Sequence, residues 1–515
     1  MKRVSKYLYK CLASGMAILL AACNATHENA QKVDFLPNIY PDYTDVTIPV
    51  NIAPLNFLVR DKDVNDIEVI ASYEDGASAS QSMSENYITA TNRGKGVKFN
   101  MSEWKDFLHK AVGKKVNVQV YTRNEEGDWT EYKPFSWTVV GDSIDSYLTY
   151  RLIEPDYEVW NKLQIKERCI ENFDETVLAD HNLQENRCMN CHVFGNQDPS
   201  LSMVYVRGEG GGAILNRHGK LRKLGIKNDS LISSSVYYGF SPSGKYITFS
   251  TNIIIPAFHA NPSKRLEVYD TKSDVYVADL DNDRIISSPL TSDSTQLETF
   301  PTFSPDGKYI YYCVANRDGL KSKNLKGLQY ALVRIPFDEK TGQFGTQVDT
   351  LYKERSVCHP KVSPDGKHLL FTVADYGTFP IWHPEADLYM MDLRTGKVDS
   401  LSIVNSKKSD TYHSWSHNSR WFVFASKRDD GLYGKPYFCY IDRQGKAHKP
   451  FVLPQEEPTF YDNFLKSFNI PELSRGPVPF NAIDIENAMK QPTENFNPHC
   501  SNSSCNSLIS NIRIF

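Results

Sequence analysis

Ser304-Pro305-Asp306-Gly307-Lys308, followed at once by YIYYCV (309–314), is the stretch that decides the fold of this chain. Proline presets φ for a turn and glycine accepts a positive φ, so the five residues form a tight turn that feeds an apolar strand. The unit recurs as Ser241-Pro242-Ser243-Gly244-Lys245 before YITFST and as Ser363-Pro364-Asp365-Gly366-Lys367 before HLLFTV. A degenerate copy, Ser416-His417-Asn418-Ser419-Arg420, precedes WFVFAS. Further on, each copy has a second strand: DVYVADL (274–280), YALVRIPF (330–337), DLYMMDL (387–393) and PYFCYID (436–442). Turns recurring roughly every 50 to 60 residues have the period of a propeller blade with long loops. A blade is apolar on both faces and is stable only when stacked on its neighbours.

This turn-plus-strand unit resembles the WD40-like (PD40) repeat of the TolB family propellers, over roughly residues 200 to 460. The resemblance implies a propeller of five or six blades. Four are plain, residues 203–226 offer a fifth, and the chain ends offer a sixth. The layout is similar to lipid-anchored, Tol-like propeller proteins of Gram-negative bacteria that carry a cytochrome-type motif.

The rest of the chain fits an exported, mainly β protein. Its 515 residues predict more than one domain, and 40% apolar with 12% aromatic residues is ample for folded cores. A net charge of −4 has the wrong sign for a nucleic-acid binder. Lys2, Arg3, Lys6 and Lys10 precede a twelve-residue apolar run, 11–22, which is too short to span a bilayer and has the form of a signal peptide. Leu20-Ala21-Ala22-Cys23 resembles a bacterial lipobox, which implies a lipid on Cys23 and a place in the cell envelope, on the periplasmic side of a membrane or at the outer membrane. Residues 23–35 are then a tether. Period-two alternation in VTIPVNI, DIEVIASY, KVNVQVYT and FSWTVV predicts a β-sandwich over 36–140, with one helix, 102–112, capped by Ser102. Residues 141–200 lack alternation and predict an irregular, partly helical connector; the propeller is expected over 201–470 and a tail over 471–515.

One motif carries chemistry. Cys188-Met189-Asn190-Cys191-His192 has the C-x-x-C-H spacing of c-type haem attachment, with Cys188 and Cys191 bonded to the porphyrin and His192 on the iron. Met203 is the nearest candidate for the second axial position, with His181, His218 and His259 as others, and Arg207, Arg217 and Arg222 as partners for propionates. A second constellation lies just ahead of the turns. His359 and His413 are expected to point into the axial channel, where His259 and His383 would overhang the mouth, and such imidazoles hold copper, manganese or zinc. Three functions follow as expectations: haem-borne electron transfer or redox sensing with the propeller as a platform for a protein partner; a metal enzyme in the channel; or an interaction scaffold with the C-x-x-C as a disulfide. No G-x-S-x-G, phosphate loop or H-E-x-x-H occurs, which leaves common hydrolase and nucleotide chemistry unsupported. The lipobox makes a direct prediction. The intact chain partitions into the detergent phase on Triton X-114 separation, and Cys23→Ser moves it to the aqueous phase; an aqueous wild type would remove the anchor.

Overall fold

The computed structural model describes residues 27, 29–74, 86–154, 163–184, 188–207, 210–227, 231–259, 261 and 264–500. The signal segment, Cys23 and Cys505 lie outside them. The chain divides into two units, residues 1–141 with 454–464, and residues 142–453 with 465–515. Among the described residues no helix is long and apolar enough to cross a membrane.

The first unit holds a seven-stranded sheet and a three-stranded sheet. Alternation sets the faces: Asp66–Ser72 and Lys115–Arg123 bury every second residue. Phe57 of the small sheet meets Phe135 of the large one, and Trp104 packs edge-on against Trp137 at 5.5 Å. The helix runs Met101–Lys110, and its cap is Asn100 rather than the expected Ser102. The Asn100 side chain accepts from the Ser102 and Glu103 N–H groups, a geometry that a side chain already inside the first turn does not reach.

Among the described residues, the second unit holds six sheets, each built on four antiparallel strands, whose inner strands follow one another in a ring. Their innermost strands are Met189–Gly195, Ser235–Phe240, Gln296–Phe303, Ser356–Val362, Asp410–Trp415 and Ser467–Ser474. Each inner strand touches the next, and the last returns to the first. This is a β-propeller-like fold. The repeated turns behave as their residues dictate. The Ser304 and Ser363 hydroxyl oxygens accept the N–H of the residue five further on, Tyr309 and His368, at 3.0 Å. Gly307 sits at φ +72°, where an added Cβ would also press within 2.9 Å of the Glu339 carboxyl carbon. Between sheets, the apolar faces merge into shared clusters, such as Val193, Met203, Leu215, Phe249 and Ala278 across the Met189 and Ser235 sheets.

Residues 141–200 differ from the expected connector. Tyr147–Ile153, Gln164–Cys169 and Glu175–Asp180 are three strands of one sheet, and among the described residues of this stretch only His181–Gln184 forms a helical turn. The fourth and innermost strand of that sheet is Ser467–Ser474, drawn from the stretch expected as propeller end and tail. Two internal segments, Tyr147–Ile153 and Ser467–Ser474, therefore close the ring by pairing, with Leu148 opposite Leu473. Helix Ala482–Met489 then covers the outer part of this region, buried through Ile485 and Ala488. Leu473 is fully buried on the closing strand. Leu473→Ala is expected to cost about 2–5 kcal/mol of stability, read as a lowered urea midpoint. An unchanged midpoint would show that this strand does not close the ring.

Candidate functional site: an aromatic collar on the channel axis

Five inner strands carry the same irregularity. Tyr237, Phe300, His359, Tyr412 and Ile470 all have φ between 50° and 54°, and each stands four positions ahead of a serine: Ser241, Ser304, Ser363, Ser416 and Ser474. The strand pairing slips at each of these points. A left-handed residue with a bulky side chain is costly, on the order of 1–3 kcal/mol. The bulge turns the side chain towards the axis. There the rings form a partial collar: Tyr237 lies 4.3 Å from Phe300, Phe300 4.3 Å from His359, and His359 4.5 Å from Tyr412, centroid to centroid. Ring pairs of this kind return about 0.5–1.5 kcal/mol each.

The pocket at this collar is also lined by His192, His413, Lys361 and Glu472, with about 90 Å³ of free volume. A wider polar chamber of about 370 Å³ shares Val193, Lys361, Ser414 and Glu472 with it and continues past Pro242, Pro305 and Pro364 of the repeated turns. Lys361 and Glu472 thus stand at the waist between two chambers.

The imidazoles here are neutral. Burial holds His192 down to about 3, helped by the charge of Arg151. Burial does the same to His413, also to about 3, and drives His359 well below its usual value, aided by His413 and Lys361. His413 Nε2 donates to the Leu370 carbonyl at 3.0 Å, which leaves Nδ1 as an enclosed acceptor with no partner. His192 has the Thr149 and Ile470 backbone as its polar neighbours, and His359 Nδ1 is enclosed without a hydrogen-bond partner. Glu472 moves the other way. It lines the channel, partly buried, and desolvation pushes it up to about 7 against the opposing pull of Lys361 and of the Phe194 N–H, which donates to its Oε1 at 3.2 Å.

The expected haem c and channel metal are overturned. Among the described residues no three His, Cys, Asp or Glu side chains converge to hold a metal ion. The C-x-x-C-H residues run into a paired strand, Met189–Gly195, and not a haem-binding loop. His192 pairs with Val204 while Met203 lies opposite Val193, so alternation turns Met203 to the other face, where it is buried in the core. The free volume beside His192 falls far below the roughly 300 Å³ or more of a cofactor pocket. Cys188 is a free thiol, half-buried and pushed up by burial. His359 and His413 do reach the channel as expected, without a third ligand.

The remaining candidates lie elsewhere. His181 contacts Asp180 and the Leu163 carbonyl, and His218 occupies a turn at φ +54°. Arg217 pairs with Asp281, and Arg222 with Glu494 and Asp283. His259 is exposed, its backbone N–H donating to the Arg265 carbonyl. His383 is clasped by Glu267 at 2.7 Å and Glu385 at 3.2 Å. That clasp fastens the long hairpin Tyr246–Phe258 and Leu266–Asp279 to the turn ahead of Asp387–Asp392. Sequence reading missed Tyr237, Phe300, Tyr412, Lys361 and Glu472. The fixed distance of the ring residues from the turn serine was the available signal.

No family model matches the sequence, and no curated protein matches it. Among solved structures, the chain is similar to a hypothetical selenium-binding protein from Sulfolobus tokodaii, at 10% identity and TM-score 0.40, over 71% of this chain and 91% of that one. It is also similar to an oligogalacturonate lyase in complex with manganese, at 11% identity and TM-score 0.32, over 75% and 97% of the two chains. Prolyl oligopeptidase B from Galerina marginata matches at 11% identity and TM-score 0.35, over 65% of this chain and 43% of that one.

Glu472 gives the site a pH signature. A carboxyl held near 7 when folded, and near 4.5 when unfolded, binds more protons folded across that window, so stability falls as pH rises through it. His192 and His413 act below about 6.5, where the unfolded chain takes protons that the folded chain refuses. Glu472→Gln keeps the acceptor for Phe194 and removes only the carboxyl titration. The variant should gain up to roughly 3 kcal/mol over wild type between pH 5 and pH 8, measured as urea midpoints. A pH-independent difference would show that Glu472 is not held protonated.

Proposed function

We propose that this chain is an envelope-anchored, TolB-like β-propeller whose axial pocket binds a small molecule. The haem-borne redox reading and the channel-metal reading fall with their cofactors. The repeated Ser-Pro-x-Gly-Lys turn supports the TolB-like placement, and Leu20-Ala21-Ala22-Cys23 supports the anchor. The observation that carries the binding reading is the collar. Bulky residues are kept at left-handed positions where glycine would relieve the strain, and an enclosed His359 Nδ1 without a partner is kept at the same place. A core built only for stability has no use for either, since each enclosed unpaired group costs about 1–3 kcal/mol. Strain and unpaired polarity gathered at one concave site are features of ligand clamps.

A thermal-shift screen of the purified chain tests this, using carboxylates, amines, amino acids, sugars and nucleosides. At a concentration near one hundred times Kd, a ligand adds about 2.7 kcal/mol, a shift of several degrees. At least one class should produce it. Tyr412→Gly, which relaxes the backbone while deleting a ring of the collar, should abolish the shift and leave the unliganded Tm within a few degrees of wild type. A screen without shifts, or a shift that survives Tyr412→Gly, would overturn the axial-pocket reading.

A further inference from the structure

Lys361 and Glu472 are a basic and an acidic side chain lining one channel, and no salt bridge joins them among the described residues. Lys361 comes from the inner strand Ser356–Val362 and Glu472 from the closing strand Ser467–Ser474. Both line the collar pocket and the polar chamber alike. Each is within reach of the other's field. Glu472 Oε1 takes the Phe194 N–H, and Lys361 is anchored through its backbone carbonyl, which accepts from Trp415 Nε1 at 3.1 Å. Lys361 lines the same pocket as His192, His359, His413 and Glu472.

A lysine and a carboxyl that share a half-buried channel without pairing leave each other's ionised form uncompensated. The cost is lowest when a ligand completes both. That ligand carries a carboxylate for the lysine and an ammonium for the carboxylate. Neutral imidazoles around it add no net charge that would favour an anion or a cation alone. The remaining wall is aromatic: Tyr237, Tyr238, Phe300 and Tyr412. It fits a short apolar substituent and offers ring faces to an ammonium group. About 90 Å³ on the collar side holds a molecule of a few heavy atoms.

We infer that the axial site is a receptor for a small zwitterion of the α-amino acid type, its carboxylate on Lys361, its ammonium on Glu472 and its side chain against the collar. This rests on the axial-pocket reading and specifies its ligand class. Isothermal titration of the full purified chain with L-alanine, propionate and ethylamine tests it. L-alanine should bind at least tenfold tighter than either half-molecule. Glu472→Gln should weaken L-alanine at least tenfold without weakening propionate; Lys361→Gln should weaken L-alanine at least tenfold more than it weakens ethylamine. Circular dichroism and the urea midpoint confirm that both variants fold, and Lys361→Arg should restore part of the L-alanine affinity. If propionate or ethylamine binds as tightly as L-alanine, the zwitterion is wrong and the pocket stands. If L-alanine, L-leucine and L-phenylalanine all fail to bind while another class gives a shift sensitive to Tyr412→Gly, the zwitterion is again wrong and the pocket again stands. If neither titration nor screen finds a ligand, both fall together.

Discussion

A left-handed backbone at one level of successive inner strands is the constraint on which the centre of the ring depends. An extended strand alternates its side chains between faces, and both faces of a blade are occupied by neighbouring blades. Nothing in a regular strand points along the remaining direction, towards the axis. The bulge at Tyr237, Phe300, His359, Tyr412 and Ile470 supplies that direction by breaking the alternation once per strand. The turn downstream fixes where it happens. Its serine oxygen holds the chain five residues on in the repeated copies, so the register of hairpin and bulge moves as a unit. Strain in the backbone and contact between rings are then two sides of one arrangement: the collar exists because the bulges are aligned, and ring contacts offset part of what the bulges cost.

Alignment requires a closed ring, and closure is made by pairing distant segments. Ser467–Ser474 completes the sheet begun by Tyr147–Ile153, with Leu148 against Leu473 and Leu152 against Phe468. The same closing strand supplies Ile470 and Glu472 to the channel. Two further segments after it, Glu494–Asn495 and Asn497–Cys500, add parallel strands to the outer edges of the Met189 and Ser235 sheets. The chain's late residues therefore tie together three blades made from its earlier ones. A contact between residues some 300 positions apart is slow to form but, once formed, removes the open edges at which a ring of blades would otherwise peel.

What the sequence disclosed and what it hid divides along the same line. The blades at Ser241, Ser304, Ser363 and Ser416 were legible because their signal is local: a turn with Pro and Gly, then a strand, within a dozen residues. The strands of the first unit were legible through alternation, as in Asp66–Ser72 and Lys115–Arg123, which bury every second residue. Residues 147–180 read as irregular because the strand that makes them a blade lies at 467–474, and no local pattern announces a partner at that distance. Asn100 was passed over as a cap because Ser102 is the commoner cue, yet only a residue ahead of the first turn can reach those N–H groups. His359 and His413 were placed on the channel because they sit next to a turn. Cys188 to His192 misled for the opposite reason. Spacing was taken as chemistry, whereas the residues enter a paired strand whose alternation sends Met203 away from His192.

The electrostatics of the channel follow from depth combined with sparse pairing. Burial alone drives the imidazoles neutral and the carboxyl of Glu472 towards its protonated form, and both effects lower the charge the protein must carry there. Lys361 opposes that tendency. Its ammonium favours an ionised Glu472 and adds to the burial that disfavours protonated histidine, so the carboxyl rests near its tipping point around 7. A carboxyl poised in this way responds to what enters. A cationic group beside it completes its ionisation and an apolar one suppresses it, while an anionic group meets the lysine without disturbing the rings. The aromatic collar sets the size of what can enter, and the waist sets its charge pattern. Selectivity at such a site comes from the separation of two charges that the fold holds apart, since a side chain that merely fitted the cavity would leave both of them unanswered.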